Sequence, residues 1–285
     1  MEWTECIRNA IRYMEDNITE ELTIENIARQ AMISPFYFQK GFAMLCGITV
    51  GEYIKKRRLT LAGSELVSTD RKIIDIALQY GYDSPESFTR AFTRFHGATP
   101  TSVRKGEAMI KSFASLKIKL TLEGGYTMDY KIVKKGPFSL IGVSKVFSYE
   151  GAETEIPKFW AEYVQAGKNE LVCSVYGVSI DENMDGSRFE YMIGDQYDPT
   201  KEMEGEFVTK VIPEHTWAVF ACRGAGSRSI PDTNKKIFSE WLPNCRDYEI
   251  AAGYHIEMYS DPADFEKGVE DENYYSEIWI PVRPK

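Results

Sequence analysis

The 285-residue sequence lacks long hydrophobic runs. No stretch approaches the roughly 20 apolar residues that a membrane-spanning helix needs. The first residues, from Met1 to Glu5, have neither the basic start nor the apolar stretch of a secretory signal peptide. We therefore expect a cytoplasmic protein with no membrane partner, and its length suits about two domains.

Cysteine and histidine are also scarce. The five cysteines lie far apart without a Cys-X-X-Cys pair, and the three histidines show no spacing typical of a metal site or a catalytic triad. A disulfide framework and a zinc site are therefore not expected, which leaves a single redox-sensing thiol as the open role for a cysteine. Gly224-Ala225-Gly226 lacks the lysine of a phosphate-binding loop. The sequence predicts no metal, no cofactor and no catalytic residue.

Positive charge is scarce overall but unevenly distributed. The net charge is −9, yet residues 1–110 contain 14 basic and 14 acidic residues, so all the excess acid lies beyond them. Residues 29–58 contain six basic residues against Glu52 alone. A local basic cluster can pair with phosphates whatever the overall charge, so the N-terminal part can still bind nucleic acid.

An internal repeat organises the N-terminal part. Ser34-Pro35 recurs as Ser84-Pro85, an offset of 50 residues. Four further pairs share this offset: Phe38 and Phe88, Phe42 and Phe92, Gly47 and Gly97, and Thr49 and Thr99. In each copy the serine suits a helix N-cap, the proline suits the first helical position, and the two phenylalanines share a helical face. Each copy is predicted to be a helix-turn-helix unit, and a long helix over Val50–Val67 joins them.

On the second helix of each copy, the side away from the phenylalanine stripe has a different set of residues. The predicted outer residues are Phe36, Lys40, Ala43 and Met44 in the first copy, flanked by Tyr37 and Gln39, and Glu86, Arg90, Thr93 and Arg94 in the second, flanked by Ser87 and Thr89. Arginine pairs with guanine edges and glutamine with adenine in the major groove. Two plain helical hairpins with solvated faces are the alternative, but the tandem copy, the shared capping and the basic clusters favour DNA binding.

Longer motifs mark the same region: Ser34-Pro35-Phe36-Tyr37-Phe38, Arg57-Arg58-Leu59, Ile73-Ile74-Asp75-Ile76-Ala77-Leu78-Gln79-Tyr80-Gly81-Tyr82, Ser87-Phe88-Thr89-Arg90-Ala91-Phe92 and Gly97-Ala98-Thr99-Pro100. With them, residues 22–105 closely resemble the DNA-binding domain of the AraC/XylS family. The resemblance implies an all-α double helix-turn-helix domain over residues 1–108, whose two second helices enter the major groove. The DNA-binding residues expected from it and from the flanking positions are Phe36, Tyr37, Gln39, Lys40, Arg57, Arg58, Ser87, Thr89, Arg90 and Arg94. Arg57 and Arg58 could equally be surface charge, and Lys40, where relatives often have arginine, cannot pair bidentately.

Beyond a linker predicted over residues 109–125, the pattern changes to strands. Eight strand-like runs are present: Lys131–Val133, Leu140–Tyr149, Val172–Asp181, Phe189–Gly194, Phe207–Ile212, Thr216–Arg223, His255–Tyr259 and Tyr275–Val282. Helical patterns interrupt them over Ile156–Ala166 and Thr233–Leu242. The order predicts an α+β domain over residues 126–285, built from two βαββ halves.

Short motifs follow in this region: Leu140-Ile141-Gly142-Val143, Tyr176-Gly177-Val178, Trp217-Ala218-Val219-Phe220, Glu240-Trp241-Leu242-Pro243 and Glu257-Met258-Tyr259. With them it resembles the gyrase-inhibitor-like (GyrI-like) effector-binding domain, and the domain order resembles the Rob-like subgroup of the AraC/XylS family. The resemblance implies a groove for a bulky lipophilic or cationic effector, in which a carboxylate meets the charge and aromatic rings add cation–π attraction of ~1–2 kcal/mol. Glu257 fits the acidic position best, and Glu277 is the second candidate. The aromatic candidates are Tyr176, Tyr191, Trp217, Trp241 and Tyr254.

These features together predict a ligand-responsive transcription regulator, an activator and not an enzyme. Its expected partners are double-stranded operator DNA and a small-molecule effector, with RNA polymerase as a further candidate. Two alternatives remain: a GyrI-like hydrolase in which Glu257 is the general base, and a module that docks on another protein. Core packing can also explain any single aromatic residue, and Glu257 could face solvent.

Overall fold

The computed structural model describes residues 3–117, 128–182, 186, 188–200 and 205–285. Contacts group the chain into two compact units, the first comprising residues 1–33 and 46–120 and the second comprising residues 34–45 and 121–285. Helix α3 (Pro35–Cys46), the second helix of the first predicted helix-turn-helix unit, therefore belongs almost entirely to the second unit. Residues 118–125 of the predicted linker lie outside the described residues.

The first unit is helical throughout its described secondary structure. Its helices are α1 (Trp3–Asp16), α2 (Ile24–Ala31), α4 (Val50–Ser68), α5 (Ile73–Gln79), α6 (Pro85–His96) and α7 (Pro100–Arg104). The side chains of Thr23, Ser84 and Thr99 each accept a hydrogen bond from a backbone N–H three residues on, at the starts of α2, α6 and α7. At the start of α4, Thr49 and Glu52 each bond the other's backbone N–H. These caps explain why the helices begin where polar residues precede apolar ones.

One hydrophobic cluster of the first unit forms around the second helix-turn-helix. Phe88 and Phe92 are fully buried with their ring centroids 5.3 Å apart, which confirms the apolar stripe predicted for α6. His96 Nε2 lies 3.0 Å from the Leu59 carbonyl oxygen, and His96 Nδ1 accepts from the Lys111 N–H at 3.0 Å. One ring nitrogen therefore donates and the other accepts, as in a neutral imidazole. Burial lowers the pKa of His96, which also favours the neutral ring.

An antiparallel sheet dominates the second unit. Its described strands are β1 (Tyr130–Lys135), β2 (Phe138–Ser148), β3 (Tyr176–Ile180), β4 (Arg188–Gln196), β5 (Val208–Ile212), β6 (His215–Arg223), β7 (Tyr248–Ile250), β8 (Tyr254–Tyr259) and β9 (Tyr275–Pro284). Their order is β1-β6-β9-β8-β3-β4-β2-β5, and β7 pairs with β9. The helices are α8 (Ala152–Gln165), α9 (Gly226–Lys236), a π-helical turn over Ile237–Trp241, and α10 (Leu242–Asn244). The short strand β7 was not predicted, and both main helices begin earlier than their sequence patterns indicate.

Two βαββ halves build this sheet, as the sequence predicts. The halves β2-α8-β3-β4 and β6-α9-β8-β9 place their strands in the orders β2-β4-β3 and β8-β9-β6, so that β3 and β8 meet at the centre. The outer strands are exchanged, because β1 precedes β2 but pairs with β6, and β5 precedes β6 but pairs with β2. The exchange ties the two halves into one sheet.

The pairing register divides the side chains of the sheet between two faces, since neighbours along a strand alternate and paired residues share a face. Phe147 on β2 packs against Phe159 of α8 at 5.8 Å, and Phe220 on β6 packs against Trp241 of the π-helical turn at 4.9 Å. The register places Phe147 and Phe220 on the same side, which we call the helix face. The other side is called the opposite face.

Candidate DNA-binding helices and effector cleft

Helix α6 presents its predicted DNA-contacting side to solvent. Arg90 and Arg94 are exposed, and Ser87 and Thr89 are partly buried. The phenylalanine stripe on the other side of the helix anchors it in the core of the first unit. A guanidinium that projects from a helix in this way can donate two hydrogen bonds to one guanine in the major groove.

Helix α3 has the same length and a similar start but a different environment. The Tyr37 N–H donates to Ser34 Oγ at 3.4 Å. Phe36 and Tyr37 are both fully buried. Within the second unit, the Phe36 ring centroid lies 6.2 Å from that of Tyr149, and the Tyr37 ring centroid lies 6.3 Å from that of Phe238. The expectation that Phe36 faces outward is therefore corrected, because an apolar aromatic surface excludes water by packing on other rings. The DNA-binding roles of Phe36 and Tyr37 remain predictions.

Polar side chains of α3 also bond within the second unit. The bonds run from Tyr37 Oη to the Tyr254 carbonyl oxygen at 2.5 Å, from Gln39 Nε2 to the Gly186 carbonyl oxygen at 2.5 Å, and from Lys40 Nζ to Ser179 Oγ at 3.3 Å. Burial lowers the pKa of Lys40 to about 8, while attraction to the Glu257 carboxylate opposes that shift. Each predicted DNA-binding side chain of α3 thus has a contact in the second unit.

Two further residues predicted to bind DNA, Arg57 and Arg58, are engaged inside the first unit. Arg57 pairs with the Glu15 carboxylate, with Nη2 2.8 Å from Oε2. Arg58 donates to the carbonyl oxygens of Ile18 and Glu20 at 2.8 and 2.6 Å. Both guanidinium groups therefore link α4 to the C-terminal end of α1 and the turn that follows it. Phosphate contact by these two residues remains a prediction.

The two acidic candidates of the effector domain lie on opposite faces of the sheet. Glu257 pairs with Gly177 and Ile278, whereas Glu277 pairs with Met258. Because residues 257 and 258 point in opposite directions, Glu257 belongs to the helix face and Glu277 to the opposite face. Only one of them can therefore serve a given cleft.

Aromatic side chains surround Glu257. The Tyr259 hydroxyl donates to Glu257 Oε2 at 2.7 Å, and Trp160 Nε1 donates to the Tyr191 hydroxyl at 3.0 Å. Gly177 makes room for this cluster, since a Cβ atom there would lie 2.3 Å from the Tyr191 hydroxyl. Burial and the Glu257 charge raise the pKa of Tyr191 and of Tyr259, so both hydroxyls remain protonated donors.

His255 lies beside Glu257 but does not neutralise it. His255 Nε2 is 3.8 Å from Glu257 Oε1, and neither ring nitrogen has a hydrogen-bond partner among the described residues. Burial lowers the pKa of His255 far below its usual range, and the Lys40 charge lowers it further. The ring is therefore neutral, and the carboxylate keeps its capacity to attract a cation.

Glu277 is already engaged by its neighbours. It is 5% exposed and accepts hydrogen bonds from Tyr275 Oη and Trp279 Nε1, both at 2.7 Å. Lys131 Nζ adds an ion pair at 3.2 Å. Because this carboxylate has a cation and two donors, Glu257 is the better candidate for a cationic ligand.

The predicted aromatic residues divide between the two faces. Tyr176, Trp217 and Tyr254 point to the opposite face, while Tyr191 and Trp241 belong to the helix face. Trp160 and Tyr259 were not among the predicted effector residues. The spacing of Tyr259, two residues after Glu257 on one strand, was a usable signal, because such residues share a face. Trp160 lies on a helix, and no local pattern links it to that strand.

The two regions together define a class of protein: a helix-turn-helix DNA-binding domain followed by an effector-binding domain. Residues 27–106 match the family described as "Helix-turn-helix domain", of the AraC type, and residues 131–282 match the family described as "Integron-associated effector binding protein". The second match covers more than half of the chain, so the chain belongs to the integron-associated effector-binding protein family. Its AraC-type DNA-binding domain precedes this GyrI-like effector-binding domain, as the sequence predicts.

Curated relatives match the chain over part of its length. The Right origin-binding protein of Escherichia coli K12 is 34% identical over 149 residues, which are 52% of this chain and 50% of that protein. The regulatory protein SoxS of Salmonella typhimurium is 38% identical over 104 residues, which are 36% of this chain and 97% of SoxS. The aligned region thus spans about half of the first relative and nearly all of the second.

Solved structures also resemble the chain. SAV2435 bound to tetraphenylphosphonium has a TM-score of 0.46 at 20% identity, covering 55% of this chain and 94% of that chain. An AraC-type regulator from Chromobacterium violaceum has a TM-score of 0.35 at 27% identity, covering 37% of this chain and 94% of that chain. Within the described residues, no helix is both long and apolar enough to cross a membrane.

Proposed function

We propose that this protein is a transcription regulator that binds an operator through its AraC-type domain and responds to a bulky lipophilic cation bound at Glu257. The setting of this carboxylate on the helix face carries the proposal. Aromatic rings flank it, the Tyr259 hydroxyl donates to it, and the adjacent His255 is neutral. Such a site attracts a cation through its charge and through the faces of its rings.

Titration calorimetry of the full chain with tetraphenylphosphonium tests the effector site. We expect Glu257→Gln to weaken binding at least about tenfold, because the substitution removes the charge partner and keeps the size of the side chain. Glu277→Gln is the matched control on the opposite face, and its affinity should equal that of the wild type. A loss confined to Glu277→Gln would place the site on the other face.

Exposed arginines support the DNA-binding half of the proposal. Arg90 and Arg94 project from α6, and a Salmonella typhimurium relative, 32% identical over 149 residues, is the "Transcriptional regulator Rob". Affinity for a duplex selected from a random pool should fall steeply with salt, the result of counterion release from phosphates. A flat salt dependence would count against the proposal. Activation is part of the same proposal, with RNA polymerase as the partner.

Binding without turnover is also part of the proposal. One relative is named a transcriptional regulator and another a regulatory protein, and a sensor needs to release its ligand unchanged. Chromatography of tetraphenylphosphonium and of neutral ester analogues after incubation with the full chain should recover them intact. Hydrolysis of an ester that Glu257→Gln abolishes would replace the sensor by an enzyme with Glu257 as its general base.

A further inference from the structure

Helix α3 lies on the helix face of the effector sheet, at the carboxylate proposed to bind the effector. Lys40 Nζ is 3.3 Å from Ser179 Oγ. Ser179 pairs with His255 across β3 and β8, and Glu257 follows two residues later on the same face. The Glu257 carboxylate therefore attracts the Lys40 ammonium, as it would attract the positive charge of an effector.

Two aromatic side chains hold the helix against both halves of the domain. Phe36 packs edge-on against Tyr149, which precedes α8, and Tyr37 packs against Phe238 in the π-helical turn after α9. The Tyr37 hydroxyl also donates to the Tyr254 carbonyl oxygen at 2.5 Å. A cation flanked by buried aromatic anchors is the combination that a lipophilic cation would present to the same cleft.

The repeat indicates that these side chains exceed what a helix-turn-helix needs. At the offset of 50 residues, the stripe of Phe38 and Phe42 has the counterparts Phe88 and Phe92, whereas Phe36 and Tyr37 have the counterparts Glu86 and Ser87. Helix α3 therefore has two apolar surfaces. The first has an equivalent on α6, and the second, formed by Phe36 and Tyr37, has none. The second surface is the one buried in the effector domain.

We propose that helix α3 is an internal ligand of the effector cleft, in which Lys40 and its two aromatic neighbours occupy the place of the effector, and that effector binding releases the helix to DNA. This inference rests on the proposed function and adds its regulation. The residues that hold the helix in the cleft are those that the AraC-type resemblance assigns to DNA, so one helix cannot serve both at once. Effector and DNA must then raise each other's affinity by the same factor.

The first arm of the test uses the full chain without any small molecule. Phe238→Ala removes the ring beside Tyr37, and Glu257→Gln removes the charge that attracts Lys40, while neither site is predicted to contact DNA. Both variants should bind the selected duplex about tenfold more tightly, within the usual range of coupling between sites. Phe265→Ala removes a ring packed elsewhere in the same unit and is the matched control, with unchanged affinity expected.

Circular dichroism establishes that each variant is folded, and Glu257→Gln keeps the test valid if Phe238→Ala does not fold. An affinity for DNA that is unchanged in the folded variants would overturn the inference. A gain in Phe265→Ala as large as that in Phe238→Ala would also overturn it, because the effect would then not be specific to the cleft.

The second arm measures hydrogen exchange of the full chain with and without saturating tetraphenylphosphonium. Backbone amides of residues 35–46 should exchange faster when the cation is bound, while those of residues 85–96 in α6 should not change. Bound cation without faster exchange in α3 would overturn the inference and leave the proposed function standing. If the cation does not bind, the proposed function fails, and the first arm still decides whether α3 is held at Glu257.

Discussion

Helices α3 and α6 are repeats of one another and yet have opposite environments. Each has 12 residues, begins at a Ser-Pro pair and carries two phenylalanines four residues apart. In α6 the remaining side presents exposed Arg90 and Arg94, whereas in α3 it buries Phe36 and Tyr37 in the other compact unit. The shared stripe determines that a helix forms, and the rest of the surface determines what the helix packs against.

The difference has a simple energetic basis. Burial of a phenylalanine-sized side chain contributes about 1.5–3 kcal/mol, and α3 offers two such side chains where α6 has a carboxylate and a hydroxyl. The two buried rings therefore retain α3 in the second unit, and α6 has no apolar side chain at the equivalent positions. Substitutions at equivalent positions of the two helices test this difference.

The largest effect is expected when α3 receives the residues of α6. The double substitution Phe36→Glu and Tyr37→Ser removes both aromatic anchors, worth roughly 1.5–3 kcal/mol each. Affinity of the full chain for tetraphenylphosphonium, measured by calorimetry, should rise by about one to two orders of magnitude, because the internal competitor is lost. The paired substitution Glu86→Gln and Ser87→Ala on α6 is the control. Equal cation affinity in all three proteins would show that α3 does not compete.

A smaller and opposite pair of effects is expected at Lys40 and Arg90, which occupy equivalent positions. Lys40→Met should lower cation affinity several-fold, because burial of the ammonium costs more than its attraction to Glu257 returns and its removal holds α3 more firmly in place, whereas Arg90→Met should leave cation affinity unchanged. Arg90→Met should instead weaken binding to the selected duplex by about 1–3 kcal/mol, the value of a good arginine–guanine pair. Calorimetry and a DNA-binding titration on both variants separate the two roles. The same response of both variants to the cation would contradict the comparison.

A third expected effect is a pH dependence of cation affinity. Burial lowers the pKa of Lys40 to about 8 in the cleft, so the seated lysine holds its proton less tightly than a released one. Raising the pH from 8 to 9.5 therefore favours the state in which α3 is bound at Glu257 over the released state, by up to about 1.4 kcal/mol per pH unit. Among the facing groups, His255 stays neutral and Tyr191 and Tyr259 stay protonated over this range, and Glu257 supplies the attraction.

Cation affinity should accordingly decrease over this pH range in the wild type, as measured by calorimetry in buffers of matched ionic strength. Lys40→Met should show no such decrease. An affinity that rises with pH, or a slope that persists in the variant, would mean that another group is responsible.

Local sequence patterns are sufficient for much of this architecture. The capped helix α6 and its phenylalanine stripe follow from a 3.6-residue period, and the two βαββ halves follow from the order of strand-like and helix-like runs. The candidate Glu257 follows from the resemblance to GyrI-like domains, whereas its side of the sheet is known only from the strand register of the structure.

Other features depend on contacts between distant residues. The exchange of β1 and β5 between the halves requires pairing across more than one element, and no local period specifies it. The hydrogen bond from Tyr37 to Tyr254 joins residues 217 positions apart. The outward-facing Phe36 was predicted because helical periodicity assigns a residue to a side of its helix but cannot say what that side meets. Arg57 was ambiguous for the same reason, since its Glu15 partner lies on another helix.

The proposed function and the inference about α3 together mean that a cation at Glu257 controls access of the chain to DNA. The most direct measurement is the dissociation constant of the full chain for its selected duplex, with and without saturating tetraphenylphosphonium, at constant ionic strength. We expect the cation to tighten DNA binding about tenfold in the wild type, within the usual range of coupling between sites, and Glu257→Gln to abolish this response. DNA affinity that stays the same or falls while the cation is demonstrably bound would contradict it.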